Sequence, residues 1–568
     1  MSLFGAIQSS SNALSVNQLG LQIVSNNIAN AATPGYVRQE LIQAPTAGYR
    51  IGGSIIGQGV EVVGVQQKVD NFVLQQIRDV QSQLKQSQTL QNSNSQLETA
   101  IAAFSDTDFA SSLSTFSNAL QDVANQPGSI ALRSLAVQRG SELTTGLNGL
   151  AAQVQDIAQI ANSEIGNIAL DINRLTSSIA KINQRIVELE GGRSTNSDAG
   201  GLRDNRNKAL DELSTLVNIE AIEQSSGAVT VFVGGDYLVT DGLSREVKTA
   251  KITTGSGSGN ALEVRIVDTD AKLGATGGKL KGLYDARDGA AGGFLNGLDK
   301  LARNVISEVN RIHSRGQGVS GFRNVLGDAV IRDPSKSIEL SGNNLDIENG
   351  AFLISVKDAI SGESKSFDIQ VRQNGQGNDT TVVDLVNQIN TASGLTASVT
   401  TDGRLQIQSA SPAIQFSFSN DTSGVLANLG INTFFTGNSA SNIAVRSDVV
   451  KDPSLLAISL NGPGQGNANA IKLAEALITP NSRLNGISVS DSYQSLVAST
   501  SQTINSQQSI SDGLNNFYQT LSSKHLAITG VSLDEEGIKM LLYQRAFQAT
   551  SRVIATANEM LQTLMQIV

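Results

Sequence analysis

The sequence predicts a multidomain α+β chain: amino- and carboxyl-terminal helices paired as a coiled coil, a long helical-bundle domain, and an inserted β-rich outer domain. Three observations predict it. Apolar residues recur every seven positions at both ends, one apolar seam runs unbroken through 147–189, and residues 321–437 change from helical to strand periodicity. The expected boundaries are 1–36 with 531–568 for the terminal pair, 37–320 with 438–530 for the mainly helical core, and 321–437 for the insert. The core includes a small β-subdomain near 219–270.

At the start the repeat is Ile7, Leu14, Leu21 and Ile28. At the end it is Met540, Phe547, Ile554, Leu561 and Val568, shadowed three residues later by Tyr543, Thr550, Ala557 and Leu564. Seven residues make almost two helical turns, so each set is one stripe. A buried aliphatic side chain contributes roughly 1.5–3 kcal/mol, whereas a lone helix of this length is marginal in water. Each stripe therefore needs a partner. The first 37 residues hold no Asp, Glu, Lys or Arg, and outside the stripe they are Ser, Asn, Gln and Gly. A monomer's surface helix normally carries a charged outer face, so this neutral one suits burial among copies of itself.

The first helix, over 2–30, stops at Thr33-Pro34-Gly35, where the pre-proline residue is pushed to extended backbone and glycine supplies a turn. Val60-Glu61-Val62-Val63 reads as a strand. Helices occupy 69–124, interrupted near Ser105-Asp106 and ended by Pro127-Gly128. Leu147, Ala151, Val154, Ala158, Ala161, Ile165, Ile168, Ile172, Leu175, Ile179, Ile182, Ile186 and Leu189 then alternate steps of four and three, a rod of about six heptads closed by Gly191-Gly192. Alternation at 229–233 and 262–267, joined by the flexible 255–259, gives the small β-subdomain; Leu295, Leu298, Ala302, Val305, Val309 and Ile312 restore helix. Within the insert, 367–371, 382–389 and 404–407 read as strand, helix, strand. Helices over 493–521 and 535–565 finish the chain.

Composition narrows the function. Only 16% of the 568 residues are charged against a typical ~25%, Trp is absent and aromatics are 4%, which implies thin domains. A net charge of -10 without a basic cluster argues against nucleic acid and anionic membrane surfaces. No cysteine is present, which excludes disulfides and thiolate metal sites, and no apolar run is long enough for membrane insertion. The segment before Ala29-Asn30-Ala31 is not a cleaved secretory signal: it lacks a basic leader, and Gln8 to Asn12 break its apolar core.

Leu21-Gln22-Ile23-Val24-Ser25-Asn26-Asn27-Ile28-Ala29-Asn30, followed by Thr33-Pro34-Gly35-Tyr36, resembles the amino-terminal signature of bacterial flagellar axial proteins, the rod, hook and hook-associated family. The carboxyl end, Gly530-Val531-Ser532-Leu533-Asp534-Glu535-Glu536 and Tyr543-Gln544-Arg545-Ala546-Phe547-Gln548-Ala549, is similar to the hook-filament junction members of that family. So are the interior blocks Leu202-Arg203-Asp204-Asn205-Arg206, Gly282-Leu283-Tyr284-Asp285-Ala286-Arg287-Asp288 and Phe434-Phe435-Thr436-Gly437-Asn438-Ser439-Ala440. The resemblance implies a structural subunit needed for filament attachment, exported without a cleaved signal by the flagellar type III apparatus. Implied partners are copies of itself in a ring or helical layer, the hook protein, a second junction protein (hook-associated protein 3), and an export chaperone on the C-terminal helix. It implies no cofactor and no catalysis. A hook or distal rod subunit is the nearest rival; a secreted monomeric adhesin or enzyme using the β-domain is the rival of another class.

Candidate chemistry is sparse. Asp534, Glu535 and Glu536 form the one dense acidic cluster, and Ser532 with Glu535 has capping-box spacing, so the carboxylates are read as serving the helix start. His313 and His525, the only histidines, have no Cys or third His with which to build a site and are read as packed or solvated. Asp268/Asp270 and Asp106/Asp108 lack the glycine and distal glutamate of a calcium loop. Gly277-Gly278-Lys279 lacks the Ser or Thr of a phosphate loop, and 462–466 lacks its flanking strand and helix; both are read as turns. Arg545 and Arg552, on one helical face, are either solvated or set against a neighbouring subunit.

Overall fold

A computed structural model describes residues 3–51, 54–105, 109–191, 199–253, 261–338, 347–375, 377–460, 462, 466–480 and 486–567. Asp106, Asp108, Gly192, the 255–259 linker, Pro463 to Gln465 and Val568, all named above, lie outside the described residues.

The chain opens with α1 (Leu3–Ala29), β1 (Gln39–Pro45), β2 (Tyr49–Ile51), β3 (Ser54–Ile56) and β4 (Val60–Gln67). Three helices follow: α2 (Asn71–Ser105), α3 (Phe109–Asn125) and α4 (Ile130–Glu190). The predicted rod is α4, and it begins well before its seam because Ile130 to Thr145 are rich in helix formers and contain no proline. Gly191, at φ +59°, ends it as the sequence implied. Next come α5 (Gly200–Leu216) and the strands β5 (Glu220–Glu223), β6 (Val229–Val233), β7 (Asp236–Thr240), β8 (Leu243–Ser244), β9 (Val247–Ile252) and β10 (Ala261–Ile266). A short α6 (Gly278–Tyr284) leads through a π-helical turn, Asp285–Ala291, into α7 (Gly292–His313).

The β-rich stretch comprises β11 (Asn324–Leu326), β12 (Gly350–Asp358), β13 (Ser364–Val371), α8 (Val382–Asn390), β14 (Leu395–Val399), β15 (Leu405–Ser409), β16 (Ile414–Ser419), α9 (Val425–Asn428), β17 (Phe435–Thr436) and β18 (Ala444–Val445). Then α10 (Ser447–Lys451), α11 (Ala468–Ala476), α12 (Val489–Thr529) and α13 (Leu533–Ile567) complete the chain. The predicted helices at both ends and the strand, helix, strand order of the insert are all present.

Two compact units result. The first draws on Met1–Asn92, Ile160–Arg287 and Asn505–Val568; the second on Ser93–Gln159 and Asp288–Ile504. In the first, Ile165, Ile172 and Ile179 of α4 are fully buried against Leu213, Val231, Val239 and Val264 of α5 and the strands. Three asparagines on α4 fasten strand backbone to it. Asn173 exchanges bonds with Val247 N and O at 2.8 Å each, Asn183 holds Val229 N and O at 3.1 and 2.8 Å, and Asn162 accepts from Leu262 N at 2.7 Å. Each amide substitutes for a missing strand neighbour, which keeps buried peptide groups paired. Of the seam, Ile182 is half-buried and Leu189 is exposed.

The second unit packs helices α3, α7 and α11 with two sheets, ordered β11-β15-β14 and β13-β12-β16. Its centre is aromatic: Phe434 stacks on Phe116 at 5.5 Å and meets Phe435 edge-on at 4.8 Å. Asn310 binds the backbone of both residues, accepting from Phe434 N and Phe435 N and donating to Phe435 O. His313 lies wholly inside. Its Nδ1 bonds Asn432 O at 2.8 Å and its Nε2 accepts from Ala457 N at 3.0 Å, so the ring is neutral and fixed in one tautomer. Burial pushes its pKa down to about 4.

Candidate assembly surface

Both predicted stripes lie in the first unit, where α1 runs antiparallel to α13. Asn27 sits beside Glu536, Gly20 beside Tyr543, and Asn17 beside Thr550. The β1–β4 ribbon, bulged between Ile42 and Gln43, flanks α1. On α13, Met540, Tyr543, Phe547, Thr550, Ile554 and Leu561 are half-buried and Ala557 is buried, whereas Leu564 is 51% exposed. On α1, Ile7, Leu14, Leu21 and Ile28 are only half-buried; the fully covered line is Val16, Gly20, Ile23, Val24 and Asn27. A 3.6-residue helix drifts ~20° per heptad from a strict seven-residue repeat, and the ring of Tyr543 reaches α1 where Gly20 leaves room for it.

A second apolar line on α13 is uncovered: Ile538, Leu542, Val553 and Met560 are exposed. Phe4, at the far end of α1, is 74% exposed. Arg545 and Arg552 are exposed too.

Between the apolar stripes and the rest of the unit lies a buried polar cluster. Asn27 donates from Nδ2 to Glu536 Oε2 and to Gln39 O, both at 2.9 Å. Its Oδ1 accepts from Gln39 N at 3.0 Å and from the Tyr36 hydroxyl at 2.8 Å. All four bonds an amide can make are made. Arg38, 8% exposed, reaches Glu536 from Nε at 2.9 Å and Glu535 from Nη1 at 2.7 Å. The Glu536 side chain has no exposed surface, so its charge is held by pairing and hydrogen bonding together. Burial, with the carboxylates of Asp204 and Glu536 nearby, pushes the Tyr36 phenol up to about 12. Burial likewise pushes the Asp204 carboxyl up to about 6, although Gln67 Nε2 donates to it at 2.6 Å. Burial opposes the Arg38 charge, but its bonds to Glu535 and the field of both carboxylates outweigh that and hold its pKa up. Glu535, bonded by Arg38, stays below the usual carboxylate range.

The motif residues divide by role. Thr33-Pro34-Gly35-Tyr36 is a tight turn closed by Tyr36 N to Thr33 O at 3.2 Å, with Gly35 at φ +81°, a conformation costly for any residue with a β-carbon. Asn30 bonds back to Asn26, Thr33 bonds Asn30, and so the turn delivers the Tyr36 hydroxyl to Asn27. At the start of α13, Ser532 Oγ accepts from Glu535 N at 3.5 Å, but the Glu535 carboxylate is engaged by Arg38 instead of reaching back. The acidic cluster read as a helix cap is therefore also half of a buried ion pair, and Arg38 is the member of this cluster that the sequence reading missed. Its one signal was position: it is the first charge in the chain. The Leu202 to Arg206 block is structural in the same way, with Arg203 paired to Glu190 and Glu223, and Arg206 donating to Asn183 Oδ1 and Gly227 O.

The other candidates are accounted for locally. Asp268 pairs with Arg245, and Asp270 with Lys248 and Arg265. Gly278, at φ +77°, makes the turn expected of it, and Lys279 pairs with Glu164. His525 is partly buried, which lowers its pKa. Among the described residues no helix is long and apolar enough to cross a membrane, and no group of three or more His, Asp or Glu could hold a metal ion.

Comparison with known proteins converges on this arrangement. Residues 7–36 match the flagella basal body rod protein family and 522–567 the C-terminal family of the basal body rod FlgEFG proteins. Those two matches cover α1 and α13, and they define the class: a structural, axial protein of the bacterial flagellum. Residues 94–328 match the helical domain of flagellar hook-associated protein FlgK. Flagellar hook-associated protein 1 of Salmonella typhimurium is 25% identical over 98% of both chains, and that of Escherichia coli 24% identical over 99% of both. The solved flagellar hook junction protein FlgK of Burkholderia pseudomallei shares the fold at TM-score 0.50 and 15% identity, covering 80% of this chain and all of that one. Over nearly its whole length the chain is thus similar to flagellar hook-associated protein 1.

Proposed function

We propose that this chain is a junction subunit that polymerises between hook and filament and is required for filament attachment. The observation that carries the reading is the uncovered line on α13, Ile538, Leu542, Val553 and Met560, lying beside a line already covered by α1. An apolar line left in water on a helix that is already paired calls for a further helix, and neighbouring copies of the same pair supply it. The neutral α1 can enter such a crowd without stacking like charge.

In this reading the paired termini, 1–36 with 531–568, line the inner tube. The helical segments 37–320 and 438–530 form the wall, and the insert 321–437 faces outward. Partners are copies of the chain, the hook protein below and a second junction protein above. The chain reaches them through the flagellar type III apparatus, with the α13 line shielded by an export chaperone on the way, and ends in the extracellular flagellum. The test is limited proteolysis of dilute subunit and of isolated hook-basal bodies carrying it. Cleavage within α1 and α13 should be markedly slower in the second than in the first; equal rates in the two would defeat the reading.

A further inference from the structure

We propose that Asn27 sets the register of α1 on α13. The inference rests on the reading of the terminal pair as the assembly element, and it starts from a weakness of that pair. A seven-residue apolar repeat matches itself after a slip of seven: Met540, Phe547, Ile554 and Leu561 offer equivalent greasy surfaces to α1 at successive heptads. Apolar burial has no direction, so the stripes alone leave the register degenerate. The connection does not remove the degeneracy. Residues 30–38 join α1 to Arg38, and about nine residues reach up to ~30 Å, whereas a one-heptad slip moves a helix by only ~10 Å.

What singles out one register is polar and buried. Asn27 is fully buried, and its amide makes four bonds to three separate places: Glu536 on α13, both backbone groups of Gln39 on β1, and Tyr36 on the turn. Slipping α1 by one heptad puts Gly20 or Pro34 in its place, neither of which has a side chain that can form these bonds. Glu536 Oε2 and the Gln39 peptide groups would then be buried without this partner, and an orphaned buried polar group is far costlier than a made bond is favourable. Gly20 adds a steric check, because the same slip sets Ala13 or Asn27 against the Tyr543 ring where only a glycine fits.

The chain has no cysteine, so thiol cross-linking reads the register directly. In the full-length chain, Thr550→Cys is combined in turn with Asn17→Cys, whose native side chains meet at 3.4 Å, and with Ser10→Cys or Val24→Cys, one heptad away in either direction. With Asn27 present, only the Asn17→Cys pair should join. With Asn27→Leu and helicity by circular dichroism unchanged, the ratio of native to slipped products should fall by about tenfold or more, the factor expected for losing one buried hydrogen-bond set. Glu536→Gln, which keeps an acceptor for Asn27, should hold the native product. A native product alone and undiminished in Asn27→Leu overturns the proposal. So does loss of all three products, since Asn27 would then hold the pair together without choosing its register. The measurement is made on free subunit, so a failure of filament attachment with native register would count against the proposed function and leave this inference standing.

Discussion

The ring of Tyr543 lies directly on the backbone of Gly20: a β-carbon at residue 20 would stand 2.6–2.9 Å from three carbons of the ring. The helices therefore approach closely at a glycine, in a helix where glycine otherwise weakens the structure. Gly20→Ala should destabilise the terminal pair by roughly 1–3 kcal/mol through overpacking, despite alanine's better helix propensity. Hydrogen exchange of α1 amides in Gly20→Ala against the parent checks this; slower exchange in the variant would contradict the contact.

Asp204 gives the first unit a pH dependence of definite sign. Its carboxyl is pushed up to about 6 in the fold against about 3.9 in an unfolded chain, so the folded state holds the extra proton between those values. Its contribution is fully present below about pH 4 and is lost as pH rises through 6; the full shift corresponds to about 3 kcal/mol, which solvent screening of this partly exposed group reduces to about 2 kcal/mol or less. Asp204→Asn should therefore stabilise the unit at pH 8 and change little at pH 4. Thermal unfolding at the two pH values decides it.

His313 works in the opposite direction in the second unit. Its pKa is about 4 in the fold against about 6.5 unfolded, so the unfolded chain takes up the proton first. The stability is fully present above pH 6.5 and falls by about 3 kcal/mol as pH drops through 4. Urea unfolding followed at pH 7 and pH 4.5 should show that loss, and His313→Gln should be less stable at pH 7 with a flatter profile.

The two apolar lines of α13 should respond differently to charge. Leu542→Glu and Val553→Glu sit on the uncovered line and should leave the free subunit as stable as before while abolishing incorporation between hook and filament. Leu21→Asp and Ile554→Asp, at half-buried positions of the covered pair, should weaken both the pair and incorporation. Motility together with hydrogen exchange separates the outcomes, and normal swimming with Leu542→Glu would contradict the role given to that line.

Periodicity made the helices legible because α4, α7, α12 and α13 carry long apolar repeats bounded by glycine and proline. On α1 the strict seven-residue count does not coincide with the face packed on α13, since that face follows helical drift and the opening left by a glycine. The buried polar cluster was illegible for a different reason. Asn27, Arg38 and Glu536 are ordinary surface residue types, and only the fold brings them together. Likewise, nothing in the spacing of Asn162, Asn173 and Asn183 announces that each will fasten a strand to the rod, because a side chain's choice of backbone partner depends on tertiary approach. The acidic run at 534–536 was visible, but its local explanation as a cap was sufficient until a cation arrived from elsewhere.

Asn27 and Glu536 are 509 residues apart in the chain, and their bond has a temporal consequence. A ribosome that has made Asn27 must add 509 more residues before it reaches Glu536. Until then the clasp has a loop and no hook, and any product truncated before α13 leaves Asn27 without its carboxylate partner. Synthesis as far as α13 is thus written into the geometry as a condition for closing the pair.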